Sequence, residues 1–388
     1  MVSQEGTPSF LHIRRALYNL NRNPAALCFN RNLCYYIFNI ACDRQASPSH
    51  PAEPRSRGVD GLELMNYVVF DLEWNQCPYG KARENRKIPF EIIEIGAVML
   101  DQDRNCVETF HRVIRPKVYR QLHYRTKEIV NLTMEDLRKG MPFPLAVRDF
   151  LEWAGRNSIF CTWGCVDLNE LQRNMNYYGQ LRLLPGPFHY YDVQKLFSIA
   201  FEDGRTCRAL NYAADLLRLD EEEEFHSAMA DAKYAAEVFR RIPKELLPEN
   251  DSLNVYQNPK SKTEEIHTVY NQYSLYISRE FATKEEAMRD PEVRSVYCSK
   301  CGKKARRKIQ WFAAGSQKYV CLALCPVHGL LQGVIRMRKS ESGAVYVKKI
   351  VAPCTEAQAE LIRRRRDALR EKRRRRRRQN EEKLSAMS

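Results

Sequence analysis

Two apolar runs fix the kind of core this chain can build. Residues 67–74 (YVVFDLEW) and 92–100 (IIEIGAVML) are rich in β-branched and aromatic side chains and are of strand length, so they predict two adjacent strands. A third strand is expected near 108–114, and Thr133 followed by Asp136 three residues on marks a helix start. Apolar residues recur at helical spacing over 145–153, 158–164 (SIFCTWG) reads as a buried strand, and 167–178 reads as a helix. A short strand at 190–193 precedes helices at 194–201, 208–218 and 228–241. Strands first, then alternating helices and strands, predict an α/β unit over 65–242: a mixed five-stranded sheet flanked by helices.

That unit occupies less than half of the 388 residues, and the remainder divides by composition. Residues 1–64 carry no clean period, and 46–58 (ASPSHPAEPRSRG) have the Pro, Ser and Arg of a linker; Met65 is the expected start of translation. Gln4, Glu5 and Gly6 at the beginning, with Arg14 and Arg15 soon after, do not make a secretory signal. Residues 243–265, with Pro248 and Pro259, predict a second linker; a smaller β module is expected over 266–354 and a basic tail, helical or disordered, over 355–388. An apolar content of 44% is ample for packing and excludes a mainly disordered, collagenous or coiled-coil chain. The longest apolar patch, 33–42, is broken by Asn39 and falls short of the roughly 18 residues a membrane span needs.

The net charge of +15 favours polyanionic partners, nucleic acid above all. Residues 355–388 alone hold 13 basic and six acidic side chains, nearly half of that excess. Thirteen cysteines, an odd number in three regions, suit reduced thiols and a metal site better than a disulfide framework, and a cytoplasmic location is expected.

Within the first strand, Asp71 and Glu73 are two residues apart, so both carboxylates share one face while Phe70 and Leu72 take the other. Clustered carboxylates repel and raise one another's pKa unless a cation neutralises them, so the pair points to divalent metal. Taken alone, the pair reads as solvated acids on a strand face. Asp167 stands where a buried strand passes into a helix, the edge at which open α/β sheets place functional groups, though an N-cap explains it too. Asp231 lies in the 228–241 helix with His226 five residues before it, behind the acid run 221–224; a helix-dipole partner and a loop histidine are the bland alternatives.

Taken in order, DLE, WGCVD and HSAMADA resemble the motifs of the DEDDh 3′-to-5′ exonuclease family, over about residues 65–242. FEIIEIGAV (90–98), NLT (131–133) and the small residues Ala228, Ala230 and Ala232 are family-like as well, and the 89–93 stretch looks closest to the branch that trims RNA ends. The resemblance implies a ribonuclease-H-like fold and a metal-dependent exonuclease releasing nucleotides from single-stranded RNA or DNA 3′ ends. It implies two Mg²⁺ or Mn²⁺ ions, with Asp71 bridging both, Glu73 and Asp231 completing one site, and Asp167 serving the other. His226 would be the base that deprotonates the attacking water. Trp74 and Trp163 flank the acids and could stack on a terminal base, with core packing as the alternative. A catalytically inert nucleic-acid-binding adaptor and a polymerase proofreading subunit are the competing functions.

Cys298 and Cys301 form a CxxC, and Cys325 and His328 a CxxH, each followed by Gly. Two such knuckles joined by a hairpin predict a zinc-ribbon-like module with one structural Zn²⁺; Cys321 is the rival ligand but sits within an apolar strand. Lys303, Lys304, Arg306 and Arg307, near Trp311 and Phe312, make a basic and aromatic mixture suited to nucleic acid, or simply a solvated hairpin.

Overall fold

The computed structural model describes residues 65–219 and 226–385. The expectations for 1–64 and for the acid run at 221–224 lie outside these residues. The described chain forms two compact units, one of residues 65–180 with 190–252 and one of 181–189 with 253–385.

In the first unit β1 (Asn66–Gln76), β2 (Phe90–Leu100) and β3 (Cys106–Arg115) form an antiparallel meander. The short helices α1 (Tyr124–Ile129) and α2 (Met134–Lys139) follow; α2 starts at the anticipated Thr133, whose side chain caps Asp136 N–H while the Asp136 carboxylate caps Thr133 N–H. After β4 (Met141–Pro142) comes α3 (Phe143–Ala154), then β5 (Ser158–Thr162), α4 (Val166–Tyr177), β6 (Phe188–Asp192), α5 (Val193–Phe201), α6 (Leu210–Leu217), α7 (Ala228–Arg241) and β7 (Ser252–Asn254). The sheet order is β4-β3-β2-β1-β5-β6-β7, with β1 parallel to β5 and β5 parallel to β6. It has seven strands where five were expected. The two additions, β4 and β7, are two and three residues long, too short for a hydrophobic period to announce them.

Because helices cover both faces of the sheet centre, β1 and β2 are buried nearly throughout and read as continuous apolar runs. One face packs Phe70 and Phe160 against Phe150 of α3, with ring centroids 5.4–6.0 Å apart. The other places Val69, Val98 and Cys161 against Phe197 of α5 and Val238 and Phe239 of α7. Truncating one such buried ring costs about 3–5 kcal/mol.

The stretch read as a linker, 243–265, contains 3₁₀ turns at Lys244–Leu246 and Lys262–Glu264 as well as β7. The second unit is a six-stranded antiparallel sheet of β8 (Ile266–Val269), β9 (Ser274–Ile277), β10 (Arg306–Ala313), β11 (Lys318–Cys325), β12 (Gly329–Lys339) and β13 (Val345–Pro353), in the order β10-β11-β12-β13-β9-β8. The segments 318–324, 332–337 and 344–351, strand-like in the sequence, are its centre as β11, β12 and β13. Two one-turn helices, α8 (Lys284–Ala287) and α9 (Pro291–Arg294), lead from β9 towards the first cysteine pair. The tail is helical: α10 (Glu356–Ser385) begins at a Thr355–Gln358 capping pair, and Ala359 and Ile362 bury themselves against Ile309, Val320 and Leu322. From Arg373 to Arg378 its side chains are exposed.

Candidate active site

Side-chain alternation on β1 turns Asp71 and Glu73 to the face that Val69 presents to α7. Asp231, in the first turn of α7, comes down onto that face. Asp71, Glu73 and Asp231 are only 3%, 6% and 5% exposed, and one oxygen of each lies within 4.8 Å of the others. Two like charges about 4 Å apart repel by about 4 kcal/mol at an effective dielectric near 20. Three ionised carboxylates so placed need a neutralising cation. Hard oxygen donors in a buried cluster suit Mg²⁺ or Mn²⁺.

The approach of α7 is made possible by Gly96, which pairs with Asp71 across the β1–β2 ladder. A Cβ there would lie 2.3 Å from the carbonyl of Ala228 and from Met229 N, so only glycine lets the helix end rest on the strand. Two residues away on the same face, buried Glu94 pairs with Glu73, accepts the Ala228 N–H at 3.2 Å and meets His111 Nε2 at 2.7 Å. At the other end of α7, the buried Arg104 guanidinium donates to the Phe239 carbonyl at 2.7 Å, a cation on the helix's negative end. The N-cap Ser227 side chain takes the Ala230 N–H. Asp231 is thereby positioned by groups that the motifs do not single out, although Glu94 and Gly96 stand within the family-like stretch 90–98.

Asp167 is also buried, in the first turn of α4, but does not belong to the 4.8 Å set. Its helix is tied to β2 by fully buried Asn174, whose amide donates to Phe90 O at 2.9 Å and accepts from Ile92 N at 3.1 Å. These bonds sit at the β-bulge where Glu73 pairs with Glu94 but Trp74 with Ile92. His226 is exposed, with φ of 80°, a positive value that few non-glycine residues adopt. Its backbone N–H donates to Asp231 Oδ1 at 3.3 Å, so the turn that presents the imidazole is fastened to the acid cluster. Trp163 packs on Phe197 and donates its indole N–H to Arg208 O at 3.1 Å; Trp74 is half-buried against Phe90.

In the second unit Cys298, Cys301, Cys325 and His328 each bring a ligand atom within 4.8 Å of the others. Cys298 Sγ is 3.4 Å from His328 Nδ1 and Cys301 Sγ 3.6 Å from Cys325 Sγ. Left-handed Gly302 and Gly329 close the two knuckles. The backbone N–H of His328, then that of Val327, draws the Cys325 thiol down to about 6. Cys321 instead lies under Gly333, with burial pushing its thiol up to about 12. Lys303, Lys304 and Arg306 are exposed, whereas Arg307 and Trp311 both donate to Arg294 O at 2.9 Å and so hold the hairpin to α9. Among the described residues no helix is long and apolar enough to cross a membrane.

Residues 68–239 match the family model described as RNase_T: Exonuclease. The probable 3′-5′ exonuclease KapD of Bacillus subtilis (strain 168) is 30% identical over 178 residues, which are 45% of this chain and 83% of KapD. Among solved structures, the nuclease domain of 3′hExo, a DEDDh family member bound to rAMP, aligns with a TM-score of 0.41 at 17% identity, covering 47% of this chain and 93% of that one. S. pombe Pop2p in its Mg²⁺- and Mn²⁺-bound form aligns with a TM-score of 0.36 at 17% identity, over 45% and 82% of the two chains. The chain belongs to the exonuclease family of that model and of KapD, and its first unit is a 3′-to-5′ exonuclease domain.

Proposed function

We propose that this protein hydrolyses single-stranded RNA or DNA one nucleotide at a time from the 3′ end, with two Mg²⁺ or Mn²⁺ ions held by Asp71, Glu73, Asp231 and Asp167. The observation that carries the reading is the burial of three carboxylates within 4.8 Å of one another, an arrangement that calls for cations. Such ions, when bound, lower the pKa of an attacking water and neutralise charge on the entering and leaving oxygens. His226 takes the proton from that water at the rim of the cluster, where its exposed ring can pass it to solvent. Glu94 and Gly96 fix how far α7 descends, and Asn174 fixes α4. Trp74 and Trp163 border the acids as candidate stacking surfaces, while Lys303, Lys304, Arg306 and Arg307 are candidate contacts to the strand's phosphates.

The second unit, in this reading, holds one structural Zn²⁺ through Cys298, Cys301, Cys325 and His328. Zn–S bonds of about 2.3 Å in a tetrahedron separate the ligands by about 3.8 Å, close to the 3.4 and 3.6 Å separations here. Thiolate ligation goes with a reducing, cytoplasmic setting.

The test is digestion of matched 5′-labelled RNA and DNA oligomers under a magnesium titration. A ladder shortening from the 3′ end is expected, lost in Asp231→Ala and His226→Ala at unchanged thermal stability. Undiminished release by either variant overturns the mechanism, and no release by the wild type leaves a nucleic-acid-binding adaptor.

A further inference from the structure

Four cations of the first unit share one cavity. Arg115 at the end of β3, Lys117 and Arg120 in the loop that follows, and Arg138 of α2 all line a space of about 510 Å³. All four are exposed, and their side chains make no hydrogen bond or ion pair among the described residues. The acids beside Arg138 on α2 are already engaged, since Glu135 pairs with Lys139 at 3.1 Å and Asp136 caps Thr133. Among the described residues no carboxylate lines the cavity. Its wall includes Met134, Pro142, Phe143 and Tyr178, with the last two rings stacked 5.3 Å apart. Cations beside an aromatic wall are the mixture that takes phosphates and unstacked bases.

The loop that carries two of these cations is held from below. Buried Glu91 of β2 accepts the backbone N–H groups of Lys117, Val118 and Tyr119 at 2.7–2.9 Å and the Tyr178 hydroxyl at 3.2 Å. Fully buried Asn75, which pairs with Glu91 across β1–β2, donates to Tyr119 O at 3.3 Å and Gln121 O at 2.9 Å and accepts the His123 N–H at 2.9 Å. Asn75 is two residues past Glu73, about 7 Å along the strand. Both anchors therefore stand on the strands that carry Asp71, Glu73 and Gly96, and the loop is fixed relative to the acids. Four like charges gathered on such a frame repel, and an anion relieves the repulsion.

We propose that Arg115, Lys117, Arg120 and Arg138 bind the phosphates of a single-stranded substrate upstream of the linkage at the acids, so that affinity grows with strand length over the first few nucleotides. The inference rests on the exonuclease reading for its choice of strand. Cations spread over a loop, a strand end and a helix, beside an apolar wall, favour successive nucleotides over one free phosphate.

The experiment uses the full chain and fluorescent octamers whose 3′-terminal linkages are phosphorothioate, with anisotropy read from low to high salt. Lys117→Gln, Arg120→Gln and Arg138→Gln combined should flatten the slope of log affinity against log salt by about 2, at about 0.7 for each phosphate no longer neutralised. A single methylphosphonate, which removes the charge of one phosphate, is then moved along the strand from the 3′ end. It should weaken wild-type binding by up to about fivefold at a few upstream linkages and make no difference there in the triple variant. Release from a dinucleotide should be unchanged, and Arg120→Lys should keep the wild-type slope. An unchanged slope in the triple variant overturns the site, as do methylphosphonate losses equal in variant and wild type. So does an equal loss on the dinucleotide, which marks a structural role, or inorganic phosphate that competes as well as unlabelled octamer, which marks a free-anion site. A wild type that binds the octamer with the expected slope yet releases no nucleotide leaves the binding site standing and sinks the exonuclease reading alone.

Discussion

Gly96→Ala is the most direct way to separate the helix from the acids without touching any of them. The added methyl would lie 2.3 Å from the Ala228 carbonyl and from Met229 N, whereas carbon atoms rest at about 3.5–4.0 Å. Since the obstacle is backbone, relief requires the first turn of α7 to withdraw by more than about 1 Å. Asp231 is three residues from Ala228 and must move with it, and a misplacement of about 1 Å can cost about 100-fold in rate. Overpacking of this kind destabilises by about 1–3 kcal/mol, which leaves most domains folded. The assay is magnesium-dependent mononucleotide release from a labelled oligomer, alongside thermal and urea unfolding. A fall in turnover of about 100-fold, with a rise in the magnesium needed for half-maximal rate, is expected. Activity within about threefold of wild type, at any stability, would refute the argument that this glycine sets the position of Asp231.

Other consequences can be measured as readily. Asn174→Ala removes both side-chain bonds to the bulged edge of β2 and strands buried backbone groups, so a stability loss of about 1–3 kcal/mol is expected, together with slower turnover because α4 carries Asp167; wild-type values in both assays would contradict it. Cys325→Ser should abolish retention of zinc in the purified protein and lower the unfolding temperature of the second unit, and an equal metal content in variant and wild type would dismiss the four-ligand site. Burial lowers the Lys349 ammonium from 10.5 to about 8. The unfolded chain therefore holds this proton more tightly, so the cost of burying it is full below about pH 8 and fades as pH climbs to about 10.5. Lys349→Met should remove that rise from the pH dependence of unfolding, and a superimposable profile in the variant would show that the rise has another source. Ala359→Glu, at the foot of α10, should detach the helix from the sheet and reduce far-ultraviolet helicity, with no change if α10 stands by propensity alone.

Much of the exonuclease domain is legible because its signals are local. The strand runs at 67–74 and 92–100, the Thr133–Asp136 cap and the apolar spacing of 145–153 all come from neighbours within a few residues, and each coincides with an element. Asp71 and Glu73 are readable for the same reason, since a period of two settles their common face. What could not be read is who meets whom. Glu94 and Ala228 are 134 residues apart and Asn174 and Ile92 are 82 apart, and neither Glu nor Asn in an apolar stretch announces which backbone group it will satisfy. Gly96 is equally silent, because its importance depends on a helix end arriving from far down the chain. Trp311 shows the opposite difficulty: aromatic residues amid lysines and arginines suggest stacking, yet its indole is committed to a carbonyl of α9. In the second unit the alternation of β12 is clear, but β8 and β9 are four residues each, too short to show a period, and β10 opens on the basic run Arg306–Lys308.

The separation of β1 from α7 also governs when the protein can first act. A growing polypeptide that has finished its meander at Arg115 already displays Asp71 and Glu73, but Asp231 arrives only after 116 further residues have been made. Until that last helix docks on Gly96, the half-built domain has two acids where it needs a closed set. The nascent first unit therefore lacks the third of its clustered acids until that helix has been made and has docked.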